Sequence, residues 1–152
     1  MSYTGFSLQV WGDLDKGESY IDRAIRLFEI QKNLQGLSSA YNNIAVNRIL
    51  RGDTVAALTY FKRAISIDPE VSGGRGGIAR WGNIGWLYTK MGMFKEGAEA
   101  INKSLTISKK VNDFKEIKNN YLRLCDFFIV KDNYNIAKKY LDSAIAVPYK
   151  SL

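Results

Sequence analysis

Residues 41–64 read YNNIAVNRILRGDTVAALTYFKRA. The same outline returns forty residues later at 81–104, WGNIGWLYTKMGMFKEGAEAINKS, and again at 121–144, YLRLCDFFIVKDNYNIAKKYLDSA. Tyr41, Trp81 and Tyr121 align. Three residues on stand Ile44, Ile84 and Leu124, followed by the small residues Ala45, Gly85 and Cys125, with Gly5 one period earlier. Gly12, Gly52, Gly92 and Asp132 form a further column, and so do Gly17, Ala57, Gly97 and Ala137. Ile21, Phe61, Ile101 and Leu141 follow, then Ala24, Ala64, Ser104 and Ala144. This many columns at one period identify an internal repeat.

Each column has a physical reading. Tyr41, Ile44 and Arg48, like Trp81, Ile84 and Tyr88, are spaced three and four apart, which is one face of a helix. The glycine at 52 or 92 falls just past that helix, where a left-handed residue ends it at little cost. A second helix follows, with Ala57, Phe61 and Ala64 on one face. Small residues at 45, 85 and 125, and at 57, 97 and 137, let two backbones approach. Large residues at 41, 81 and 121, and at 61, 101 and 141, fill the space beside them. A single hairpin cannot bury its apolar face, so neighbours must stack. The pattern predicts an all-α chain of about eight helices in one domain spanning 1–152. First helices fall at about 2–11, 34–51, 77–91 and 114–131, and second helices at about 14–31, 53–67, 94–110 and 133–147. The repeats run about 1–33, with a truncated first helix, then 34–73, 74–113 and 114–152.

Composition agrees with this reading. Of 152 residues 46% are hydrophobic, enough for a core, and only two are proline. The single cysteine, Cys125, excludes an internal disulfide framework and points to a reducing compartment, here the cytoplasm. No signal-peptide pattern opens the chain, and no run approaches the roughly 20 apolar residues that cross a bilayer. The net charge of +7 is uneven: 0 over residues 1–50, +2 over 51–100 and +5 over 101–152. Such a field favours acidic partners without specifying a fold.

The columns resemble the tetratricopeptide repeat: Tyr41, Ile44-Ala45, Gly52, Ala57, Phe61, Ala64 and Pro69 in one unit, then Trp81, Ile84-Gly85, Tyr88, Gly92, Gly97, Ile101 and Ser104 in the next. Arg48 and Asp132 depart from the pattern, as do Met1 and Thr4 in the first unit. The period of forty, against 34, is similar to the longer-helix branch of peptide-sensing bacterial regulators, kinesin light chains and cell-polarity adaptors. Their Asn-Leu-Gly motif has counterparts in Asn43-Ile44-Ala45 and Asn83-Ile84-Gly85. The resemblance implies a right-handed superhelix, or solenoid, of antiparallel hairpins. The extra residues of each period lie between units, as a flexible glycine-rich loop at 71–77 and as helix extensions at 29–33 and 108–111.

Catalytic signals are sparse. The chain has no histidine, which removes the commonest general base and metal ligand. Cys125 lies in a small-residue column and reads as core. The glycines at 73–77 lack the Gly-Lys-Ser/Thr ending of a phosphate loop. Asp13, Asp15 and Glu18 stand where a helix starts, and Asp68-Pro69 where one stops. No cofactor or metal is expected, and the chain reads as a non-enzyme. Lys109-Lys110 and Lys138-Lys139, with Lys103, Lys115, Lys118 and Arg123, form either a solvated face or a nucleic-acid patch.

The resemblance implies that first helices line a concave, partner-binding face. Between the core columns that face carries Ser39, Asn42, Asn43, Val46, Ile49 and Leu50 in the second unit. In the third it carries Ala79, Gly82, Asn83, Trp86, Thr89 and Lys90, and in the fourth Asn119, Leu122, Arg123, Asp126, Ile129 and Val130. Asn43 and Asn83 either hold the backbone of an extended ligand or bond neighbouring helices. Trp86, off the core columns, is an anchor candidate. Arg80, Lys90 and Arg123 supply positive charge for an acidic protein or peptide segment. No polar end cap is evident, so either the chain is part of a larger protein or its last repeat packs on another subunit as a homo-oligomer. Three functions stay open: a binding scaffold, the sensory or oligomerising part of a bacterial regulator, and a basic nucleic-acid binder.

Overall fold

A computed structural model describes residues 13–67 and 74–148. The expected helix at 2–11, the turn at Gly12 and most of the glycine-rich loop lie outside the described residues. Seven helices occur among those described, with no strand: α1 (Leu14–Ile30), α2 (Leu34–Leu50), α3 (Thr54–Ile67), α4 (Arg75–Lys90), α5 (Phe94–Lys110), α6 (Phe114–Val130) and α7 (Tyr134–Ala146). The chain divides into two compact units, Met1–Pro69 and Glu70–Leu152. The all-α class and the helix order agree with the periodicity.

The turns explain the register. Lys32, Gly52, Gly92, Asn112 and Asp132 all have positive φ, between 51° and 79°, at multiples of twenty residues. After each one the next amide reaches back five residues to a carbonyl: Asn33 to Phe28 (2.8 Å), Asp53 to Arg48 (2.8 Å), Met93 to Tyr88 (2.9 Å), Asp113 to Ser108 (2.9 Å) and Asn133 to Phe128 (2.8 Å). This is a Schellman closure, and it satisfies carbonyls that the helix end would orphan. The same residue then caps the following helix: Asn33 accepts from the Gly36 amide, Asp53 from Ala56, Asp113 from Glu116 and Asn133 from Ile136. Joints between repeats therefore use the same turn as joints within them. The helix extensions expected at 29–33 and 108–111 stop short, at Ile30 and Lys110, because Lys32 and Asn112 turn left-handed. At the other boundary α4 starts at Arg75, two residues earlier than expected, with Gly74 as N-cap.

In the first unit Ile21, Leu37, Ala40, Tyr41, Ile44 and Ala64 form the core, flanked by Ile25, Phe28, Tyr60 and Ile67. In the second unit Ile101, Leu105, Ile117 and Leu124 do so, flanked by Phe114, Tyr121, Tyr140 and Val147. The small columns act as expected. A Cβ on Gly85 would lie 2.9 Å from the Gly97 carbonyl oxygen, so α4 and α5 touch backbone to backbone there. Cys125 is buried, as its column requires.

Candidate partner-binding site

In the second unit α4 and α6 flank a cleft of about 320 Å³, lined by Trp86, Thr89, Lys90, Arg123, Asp126, Phe127, Ile129 and Val130. Trp86 and Lys90 stand one turn apart on α4, and the Lys90 ammonium lies 5.8 Å from the Trp86 ring centroid. Phe127 forms the buried floor, edge-on to Phe128 at 5.0 Å and to Phe94 at 5.8 Å. Ile129 and Val130 are exposed at the rim. Thr89 turns its hydroxyl inward, donating to the Gly85 carbonyl at 2.9 Å.

Arg123 is the most constrained wall. Its Nη1 donates to the Asn120 side-chain oxygen at 3.2 Å and lies 3.7 Å from Glu116, while Nη2 reaches the Asn83 side-chain oxygen at 3.5 Å. Gly82 leaves the room for this: a Cβ there would come within 2.7 Å of Nη1. Burial pushes the Arg123 pKa down and the Glu116 carboxylate opposes that shift, so the guanidinium stays charged at neutral pH. Behind it the fully buried Asn120 donates to Ser104 at 2.8 Å and Ser108 at 3.2 Å. The cation thus has a fixed position with N–H donors to spare, since a guanidinium carries five.

Seven of the residues marked from the repeat, Trp86, Thr89, Lys90, Arg123, Asp126, Ile129 and Val130, line this cleft, and Asn83 reaches its Arg123 wall. Asn42, Asn43, Val46, Ile49 and Leu50 lie on α2 in the first unit, the first four half-buried and Leu50 exposed. Arg80 requires a correction. It is 5% exposed, so it does not present charge to a ligand. Its column, shared with Ala40 and Asn120, is buried in all three repeats, one residue beyond the face that carries Ser39, Ala79 and Asn119. The periodicity also missed Phe127, Glu116 and Asn120, the floor and supports of the cleft. Positions 40, 80 and 120 carry no shared sequence signal, because Ala, Arg and Asn agree neither in size nor in polarity.

A second hollow of about 360 Å³, on α1, is lined by Asp15, Glu18, Ser19, Asp22, Arg23 and Arg26. Two of its acids serve the fold: Glu18 pairs with Arg48 and Arg51, and Asp15 pairs with Arg51. Among the described residues no group of three His, Cys, Asp or Glu could hold a metal. Burial raises the Cys125 pKa, which keeps it a thiol rather than a nucleophilic thiolate. No described helix is long and apolar enough to cross a membrane.

The family model for the tetratricopeptide repeat matches residues 38–71 and 78–111. No curated protein matches the sequence. The fold is similar to the crystal structure of BtubC (BKLC) from P. vanneervenii, at TM-score 0.84 and 15% identity, over 99% of this chain and 66% of that one. It is also similar to a Podosopora anserina protein assigned as a kinesin light chain with nearly identical TPR-like repeats. There the TM-score is 0.78 and the identity 12%, over 96% of this chain and 72% of that one. The chain thus spans just under two thirds of BtubC.

Proposed function

We propose that this chain, a tetratricopeptide-repeat protein, is a binding scaffold whose α4–α6 cleft takes an extended, acidic segment of a partner protein and performs no catalysis. The fold supports the coarse part, since tetratricopeptide repeats are protein-interaction modules. One observation carries the finer part: Trp86, Lys90 and Arg123 converge on one cleft. Trp86 and Phe127 offer apolar anchoring surface, and two cations face the single acid Asp126. Arg123, held over Gly82, is preorganised for a carboxylate and loses little freedom on binding. The Asn83 amide, within reach of Arg123, is placed to bond the segment's main chain.

The test begins with peptides selected from a random displayed library against the whole chain. Acidic sequences carrying an apolar residue should be enriched. Their affinity should fall roughly tenfold or more in Trp86→Ala and in Lys90→Glu, the scale expected of an interface anchor. Both positions are at the surface, and unchanged circular dichroism would show intact folding. Undiminished affinity in both variants overturns the assignment of the cleft.

A further inference from the structure

Both walls of the α4–α6 cleft are first helices of their hairpins, and they run in the same direction because α5 returns between them. Contact fixes their register: Arg123 lies over Gly82 and reaches Asn83. Asp126 follows Arg123 by three residues as Trp86 follows Asn83, so Asp126 stands at the level of Trp86. Lys90 comes one turn beyond Trp86. Along the cleft the charges therefore run Arg123, Asp126, Lys90: positive, negative, positive. At about 1.5 Å of rise per residue, the distance from the level of Asn83 to that of Lys90 is about 10 Å, or about three residues of extended chain.

Both cations are held away from the acid. Glu116 and Asn120 keep the Arg123 guanidinium on the side that faces the start of α6. The Lys90 ammonium lies over the Trp86 ring at 5.8 Å. Asp126 follows Arg123 at a spacing that favours an ion pair on a helix. It is nevertheless exposed, and makes neither a hydrogen bond nor an ion pair among the described residues. A bare carboxylate between two cations repels the middle of an acidic run and attracts a cation placed there.

We infer that Asp126 is the specificity determinant of the cleft, which selects a segment with a basic residue flanked by acidic ones over an unbroken acidic run. The flanking acids meet Arg123 and Lys90, and the basic residue meets Asp126. This assignment rests on the proposed occupancy of the cleft by an acidic segment and names the sequence class of that segment.

The probes are peptides selected from a random displayed library against two forms of the whole chain, the native one and Asp126→Lys. Asp126 is exposed, so both Asp126→Lys and Asp126→Asn should keep the native circular dichroism. Native-selected peptides should carry a lysine or arginine between two acidic residues that lie within about four positions of each other. Changing that basic residue to glutamate should weaken binding to the native chain by roughly tenfold or more, and strengthen binding to Asp126→Lys. Asp126→Asn should bind both peptides and lose the preference between them. Acidic peptides that need Trp86 and Lys90 but show no preferred basic position overturn the inference and leave the proposed occupancy standing. So does a basic residue that contributes equally in the native, Asp126→Lys and Asp126→Asn chains. Selection that enriches no acidic peptides, or only peptides indifferent to Trp86→Ala and Lys90→Glu, overturns both.

Discussion

Ser38 donates its hydroxyl to the Ala64 carbonyl at 2.6 Å, and Ser104 donates to the Ile78 carbonyl at 2.7 Å. Ser38 and Ile78 share one column, and Ala64 and Ser104 share another. These two hairpins therefore carry the same buried bridge between their helices, with the donor moved from the first helix to the second. A buried hydrogen bond of this kind contributes about 1 kcal/mol. Ser38→Ala should cost that much in urea unfolding, and Ser38→Ala combined with Ala64→Ser should recover most of it by copying the other hairpin. A double variant no more stable than the single one would show that the bridge is incidental. Ser104→Ala should cost more, about 2 kcal/mol, because the buried Asn120 amide also loses a partner. At this scale the repeat made the apolar columns legible from period and size alone. Polar positions were not legible, because chemistry can alternate within a column while geometry stays fixed. Arg80, between Ala40 and Asn120, reads as surface charge for that reason, and the repeat marks Arg123 without the Glu116 and Asn120 that hold it.

Two of the five positive-φ turns contain glycine, and Lys32, Asn112 and Asp132 do the same work with side chains that disfavour it. Lys32 has the least excuse, since asparagine and aspartate tolerate this region through local hydrogen bonds. Lys32→Gly should therefore stabilise the chain by about 0.5–1 kcal/mol, read as a higher urea midpoint at unchanged slope; a loss would mean that the Lys32 side chain matters more than its backbone. The glycine columns announce only some of these turns, so the expected helices run too long at 29–33 and 108–111. Helix joints also differ in kind. Where α6 meets α5, Phe127 packs on Phe94 with the Lys131 ammonium 5.2 Å from the Phe94 centroid. At the equivalent place where α2 meets α1, Asn47 donates to the Leu14 carbonyl at 3.2 Å and Arg48 and Arg51 pair with Glu18. One joint is aromatic and the other ionic on the same backbone frame. Salt screens the ionic one more. Raising sodium chloride to about 1 M, where the screening length is near 3 Å, should lower hydrogen-exchange protection in α1 more than in α6. Equal changes in both helices would remove the distinction. Glu18→Ala should cost about 1–2 kcal/mol, since the buried Asn47 and the half-buried Arg48 and Arg51 lose their shared acceptor.

The whole molecule carries a charge of +7, concentrated in its last third, and that surplus is what made nucleic acid a candidate partner. Several of the cations have work within the repeats. Arg63 lies 4.4 Å from the Tyr41 ring centroid and Lys103 lies 4.4 Å from that of Trp81, one period apart in both partners. Lys109 sits over Tyr121 at 5.4 Å and Lys131 over Phe127 at 5.7 Å. Their stems cover aromatic surface that a repeat protein would otherwise expose, a use that sequence counting could not separate from a binding patch. Cations arranged by repeat geometry follow helix columns rather than the spacing of a phosphate backbone, so they should yield only diffuse attraction to it. Binding to a generic 20-base-pair duplex should be weak at 50 mM salt, indifferent to sequence, and lost by about 200 mM as counterion release is suppressed. Submicromolar, saturable binding that survives 200 mM salt would reverse this, and would return the basic third of the molecule to the centre of its function. The cleft should respond differently to salt. In the proposed complex charge would help to steer a segment to Lys90 and Arg123, while apolar contacts with Trp86 and Phe127 would be little screened. Selected peptides should therefore weaken by less than about tenfold over the same salt range, and by more only if the ionic contacts alone hold them.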